Sequence, residues 1–124
     1  MSFKTLGGYK KAFSLAMRVF EVSKAFPREE TYSLTDQIRR SSRSVCANMS
    51  EACRKRRYVK HWISKLTDSD GENSETLVWL DFVKASKYIN EETYYQLTEQ
   101  SEEVGKLINY MINNPGKFGV KPLE

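Results

Sequence analysis

Proline is scarce in this chain of 124 residues: Pro27, Pro115 and Pro122 are all there is, so nothing of that kind interrupts a helix between the first two. Cysteine is scarcer still. Cys46 and Cys53 lie seven apart, which on one helix separates their Cα atoms by ~10.5 Å at a rise of 1.5 Å per residue. A disulfide needs less than ~7 Å, so they do not pair, and two small buried thiols in a reducing compartment are the expectation. No apolar run reaches the ~20 residues that span a bilayer. The opening MSFKTLGGYKK lacks the apolar stretch and cleavage site of a secretory signal. A protein with no membrane association, in the cytoplasm, is expected.

The missing chemistry is as informative. DSDGEN at 68–73 invites a calcium loop, but counting from Asp68 puts Gly71 fourth instead of sixth and Trp79 where a bidentate Glu belongs. Asp68, Asp70, Glu72 and Glu75 read as a solvated acidic face. His61 is the single histidine, and Tyr58, not a glutamate, stands three before it, so no Glu-x-x-His di-iron pair exists. One His and two Cys without metal-ligand spacing make no zinc site. Neither cysteine carries a local nucleophile signature, and no Gly-rich phosphate loop occurs. The expectation is a non-enzymatic protein with no catalytic residue, metal or cofactor.

What is present is helical periodicity. Leu6, Tyr9, Phe13, Ala16 and Phe20 recur at three- and four-residue steps until Phe26-Pro27 ends the run. Leu34, Ile38, Val45, Met49 and Ala52 follow, with Ser33 as candidate N-cap and Asp36 in the first turn. A third segment carries Val59, Trp62, Ile63 and Leu66, then Leu77, Leu80, Phe82 and Val83. In a fourth, Asn90 before Glu91 and Glu92 reads as a cap. Helices over about 4–25, 33–56, 58–88 and 91–113 make an all-α, antiparallel up-down four-helix bundle of residues 1–114, with a flexible tail at 115–124. Residues 67–76 are polar throughout around Gly71, and there the residues alone support a loop as well as a continuous helix.

The segment DQIRRSSRSVCANMSEACRKRR, residues 36–57, holds the charge. Wound at ~100° per residue from Ile38, Leu34, Val45, Met49 and Ala52 fall within ~40° and form the core stripe. Arg39, Arg43, Arg54 and Arg57 make a ridge to one side, with Arg40 further round and Arg56 turned back toward the core. Ser42, Cys46 and Cys53 fill the strip between, small enough to admit another backbone. Lys55 and Lys60 extend the basic run, opposed only by Asp36 and Glu51. The fourth helix reverses the sign in its first half, with Glu91, Glu92, Glu99, Glu102 and Glu103. Such polarity suits a surface that neutralises RNA or DNA phosphates. It equally suits subunits joined head to tail through opposite charges.

Three blocks in fixed order carry a resemblance that covers residues 3–112. They are FPREETYSLTDQIRRS at Phe26–Ser41, NMSEA at Asn48–Ala52, and DGENSET at Asp70–Thr76 followed by WLDF. The chain resembles the bacterial four-helix-bundle proteins encoded in intervening sequences of 23S ribosomal RNA genes. That resemblance implies an up-down bundle assembled as a ring, typically a homopentamer, with residues 70–76 inside a long third helix. The family is similar in turn to the accessory protein of diversity-generating retroelements, a basic pentameric barrel that binds nucleic acid and a reverse transcriptase. Carried over by position, Arg39, Arg40 and the Arg54–Arg57 cluster become the basic surface. The alternative it implies is a scaffold for a protein partner such as a reverse transcriptase, with the basic face spent on subunit contacts. The chain departs from the usual I-x-x-N-I-A-E-G block, placing Cys53 where that block has glycine.

Overall fold

The computed structural model describes residues 2–121. Four helices account for most of them: α1 (Gly7–Ser23), α2 (Leu34–Arg54), α3 (Val59–Ala85) and α4 (Glu91–Asn113), with short 3-10 turns at Phe3–Thr5, Arg28–Glu30 and Pro115–Phe118. Each boundary has a local cause. α1 starts later than the periodicity alone predicts because Phe3–Thr5 forms a separate turn, capped by the Ser2 hydroxyl. It closes at Ser23, where the amides of Lys24, Ala25 and Phe26 tighten onto carbonyls three residues back, ahead of the proline restriction on Phe26. Asn90 caps α4, its side chain accepting from Thr93 N at 2.8 Å. Ser33 does not cap α2; its hydroxyl donates to the Glu30 carboxylate at 2.6 Å. α3 ends in a six-to-one turn, Tyr88 N to Val83 O, around Lys87 in the left-handed region at φ 63°.

Cross-helix contacts fix the directions. Trp62 Nε1 donates to Met111 O, Asn73 to Ser101 O, and Tyr94 to Asp81, so α3 and α4 run antiparallel. Ser69 bonds to Val45 O and Ser41 to Thr76, which does the same for α2 and α3. Arg39 reaches back to Ser23 on α1, while Lys11 on α1 pairs with Glu103 on α4. The bundle is up-down, in cyclic order α1, α2, α3, α4, with α1 and α3 at opposite corners and α2 opposite α4.

α3 is continuous through residues 67–76, which decides between the two alternatives left by the residues themselves. Its inward positions are Trp62, Leu66, Ser69, Asn73, Thr76, Leu80 and Val83, alternating steps of four and three. The central three are polar, yet buried and hydrogen-bonded: Ser69 to α2, Thr76 to Ser41, and Asn73 both to Ser101 O and, through its oxygen, from Ser101 Oγ. A polar layer thus crosses an otherwise apolar core of Leu15, Val19, Ile38, Val45, Met49, Leu97, Val104 and Ile108.

The segment from 115, expected as part of a flexible tail, instead turns back onto the bundle as far as Val120. Phe118 packs against Trp62 and Tyr110, and Val120 is buried in the core. Apolar burial of these two side chains offsets the entropy of ordering so short a piece. Residues 122–124 lie outside the described residues.

Candidate nucleic-acid interface

The basic residues of α2 divide into two groups, separated by eleven residues or ~16 Å of helix rise. The first is Arg39, Arg40 and Arg43. Arg39 is half-buried, its Nε donating to Ser23 Oγ at 2.7 Å and its guanidinium 4.7 Å from the Phe20 ring centroid. Arg43 approaches the same ring at 5.4 Å. Phe20 therefore orients two guanidiniums at once through its π-face. Arg40 projects from the α3 side of α2. Its charge partly counters the upward push that burial and Glu75 give the Glu72 carboxyl.

The second group surrounds the α2–α3 corner. Arg54, Lys55, Arg57 and Lys60 are exposed there, beside Tyr58 and His61, whose rings lie 5.3 Å apart. Arg56 leaves the group. α2 ends at Arg54, yet Arg56 keeps the inward direction that its register position gave it. The side chain folds inward beside Cys53, with Cδ 3.9 Å from where a Cβ on Gly119 would stand.

Among the described residues, Arg40, Arg43, Arg54, Lys55, Arg57 and Lys60 form no ion pair. Glu51, the acidic residue within their stretch, is taken instead by Lys65 of α3 at 2.8 Å, which also meets Asp68 at 3.4 Å. The acids of α4 stand across the bundle on the helix opposite α2, where Lys11 of α1 neutralises Glu103. The molecule is polarised along that diagonal.

The small strip finds its neighbour within the chain. Ser42 donates to Ile38 O, Cys46 lines a cleft shared with Phe13 and Ala16 of α1, and Cys53 lines one shared with Ser2 and Phe3. Burial pushes the Cys46 thiol up to about 11 and raises Cys53 as well, the latter opposed by Arg56. Both are protonated and unreactive near neutrality. Among the described residues no group of three or more His, Cys, Asp or Glu is placed to hold a metal ion. No helix there is long and apolar enough to cross a membrane.

One feature of the surface has no periodic signal. Arg39, Arg40 and Arg43 form one wall of a groove of about 520 Å³, completed by Tyr32, Thr35 and Asp36. Tyr32 belongs to the α1–α2 connection, where hydrophobic spacing says nothing about direction, and it is 95% exposed. Thr35 is 6% exposed with no hydrogen-bond partner for its Oγ1.

Two comparisons place the chain. A crystal structure from Bacteroides thetaiotaomicron VPI-5482, described as a protein with unknown function from the S23 ribosomal protein family, superposes with a TM-score of 0.77 at 29% identity, covering 85% of this chain and 97% of that one. A comparison with curated proteins finds no match. Residues 4–110 match the model of the 23S rRNA-intervening sequence proteins, which is nearly the whole bundle. With four helices in the order and blocks expected, the chain belongs to the 23S rRNA-intervening sequence protein family.

Proposed function

We propose that this is a non-enzymatic, ring-forming bundle protein that binds nucleic acid, ribosomal RNA or DNA, across the basic face of α2. The observation that carries the reading is the set of six exposed cations on α2 and its corner, none of them in an ion pair among the described residues, on the side of the bundle away from the α4 glutamates. An exposed salt bridge is worth little to the fold, but leaving six cations together costs repulsion that a phosphate backbone would relieve.

Assembly rests on a second pair of surfaces. Phe13 and Met17 of α1 are 52% and 44% exposed, and on α3 Val78 and Phe82 are 49% and 55% exposed. These helices stand at opposite corners, so each subunit carries two different apolar patches on roughly opposite sides. Unlike patches on opposite sides suit a heterologous, head-to-tail interface, which forms a ring where the rotation between subunits closes. A ring built that way, five-membered as the family resemblance implies, would bring the basic faces of its subunits together and multiply their field.

The test is fluorescence anisotropy with duplex DNA and structured RNA over a salt series. Affinity should fall linearly in log–log form, with a slope of about −0.9 per phosphate neutralised on a duplex. The Arg54→Ala/Lys55→Ala/Arg57→Ala variant should bind more weakly and with a shallower slope. No binding at low salt, or an unchanged slope in that variant, would remove the proposal.

A further inference from the structure

We infer that the groove between the α1–α2 connection and α2 seats an unpaired nucleotide, so that the preferred ligand is single-stranded RNA or an RNA loop over a perfect duplex. The inference rests on the nucleic-acid reading above and deepens it. At about 520 Å³ the groove lies within the range of small-ligand sites, which run from about 300 to 1,000 Å³. A flat electrostatic surface for duplex DNA needs no such concavity.

Its lining matches the parts of a nucleotide one by one. Arg40 and Arg43 present guanidiniums that form no ion pair among the described residues, fitted to bidentate phosphate contact. Arg39 is held by Ser23 and Phe20 and adds fixed charge at the wall. Tyr32, at 95% exposure, contributes nothing to the core and offers a ring for a splayed-out base to stack on. Asp36 is an acid in a groove otherwise cationic. It would repel a bare phosphate, whereas a ribose 2′-hydroxyl or a base amino group donates to a carboxylate. The occupant that uses all five is a nucleotide with its sugar and base, not inorganic phosphate. Thr35, lining the same groove, has a buried hydroxyl that the fold leaves without a partner.

The experiment compares a 5′-labelled 12-nucleotide RNA, the same RNA annealed to its complement, and the DNA strand of equal sequence. Each is titrated at low salt into wild type, Tyr32→Ala, Tyr32→Phe and the Arg54/Lys55/Arg57 alanine variant. Tyr32→Ala should weaken single-strand binding about tenfold and leave the duplex unchanged, while Tyr32→Phe, which keeps the ring, should bind as wild type. The exposure of Tyr32 leaves folding intact in both. If all strands bind equally and Tyr32→Ala changes nothing, the groove inference is overturned while the basic-surface reading stands. If wild type binds none of them, the basic-surface reading fails and takes the groove with it.

Discussion

At Gly71 the α3 backbone is helical and exposed, and a Cβ added there would meet nothing within 4 Å. At Lys87 the backbone is left-handed, φ 63°, in the position that closes helices with glycine. Each site holds the residue type that would suit the other. Gly71→Ala should stabilise the fold by about 0.5–1 kcal/mol through lower unfolded-state entropy and better helix propensity. Lys87→Gly should gain about 1 kcal/mol by relieving the Cβ clash of the left-handed region. Urea unfolding with an unchanged m-value checks both. A destabilised Gly71→Ala would mean that α3 is not helical there in solution. The same residues show where sequence speaks clearly and where it does not. The Asn90 cap is local chemistry and legible. Ser33 reads as equivalent, but its hydroxyl is drawn off by Glu30, which Tyr88, just past the end of α3, also holds. Those two hydrogen bonds pull the Glu30 carboxyl below its usual range, an effect invisible without the fold.

The helix that resisted reading is α3, and the reason is a property of the element. Its inward line keeps strict four–three spacing, but the middle three members are Ser69, Asn73 and Thr76, so a search for apolar periodicity finds a gap. What fills the gap comes from other helices: Val45 O and Ser41 from α2, Ser101 from α4. A second confusion is that Val78 and Phe82 make the outer face apolar where the inner face resumes. Gly105 of α4 lies where an added Cβ would be 3.4 Å from Asn73 Nδ2, so the two helices approach closely at this layer. Asn73→Ala removes the acceptor of the buried Ser101 hydroxyl and the second hydrogen bond to Ser101 O, and should cost about 1–3 kcal/mol. Combining it with Ser101→Ala should cost less than the sum of the two, because one network is being removed twice. Chemical denaturation of the two single variants and the double gives the cycle. A cost within 0.5 kcal/mol for Asn73→Ala would show that water satisfies the layer equally well. The arginine ridge, by contrast, was legible from helical spacing, including Arg56, whose register position turns it toward the core and whose side chain folds inward two residues past the end of α2.

For the whole molecule two diagonals cross: cations on α2 face away from acids on α4, and the apolar patch of α1 lies across from that of α3. The first diagonal was visible in the sequence because charge counts need no coordinates. The second was not, since Phe13 belongs to the same periodic stripe as the core, and only the packing shows that it stays outside. If the ring closes by setting the α1 patch of one subunit on the α3 patch of the next, the two patches are separable by mutation. Met17→Glu destroys one side of the junction and Phe82→Glu the other, so each variant alone should run as a monomer by size-exclusion chromatography with light scattering. Mixed one to one, they still offer a single intact junction, the α1 patch of the Phe82→Glu chain against the α3 patch of the Met17→Glu chain. The mixture should therefore form a dimer and nothing larger. An interface in which like patches meet would behave differently, since Met17→Glu would then disrupt itself while Phe82→Glu assembled alone. A wild-type chain that is monomeric at tens of micromolar would dispose of the ring altogether and leave the basic face of α2 to act one subunit at a time.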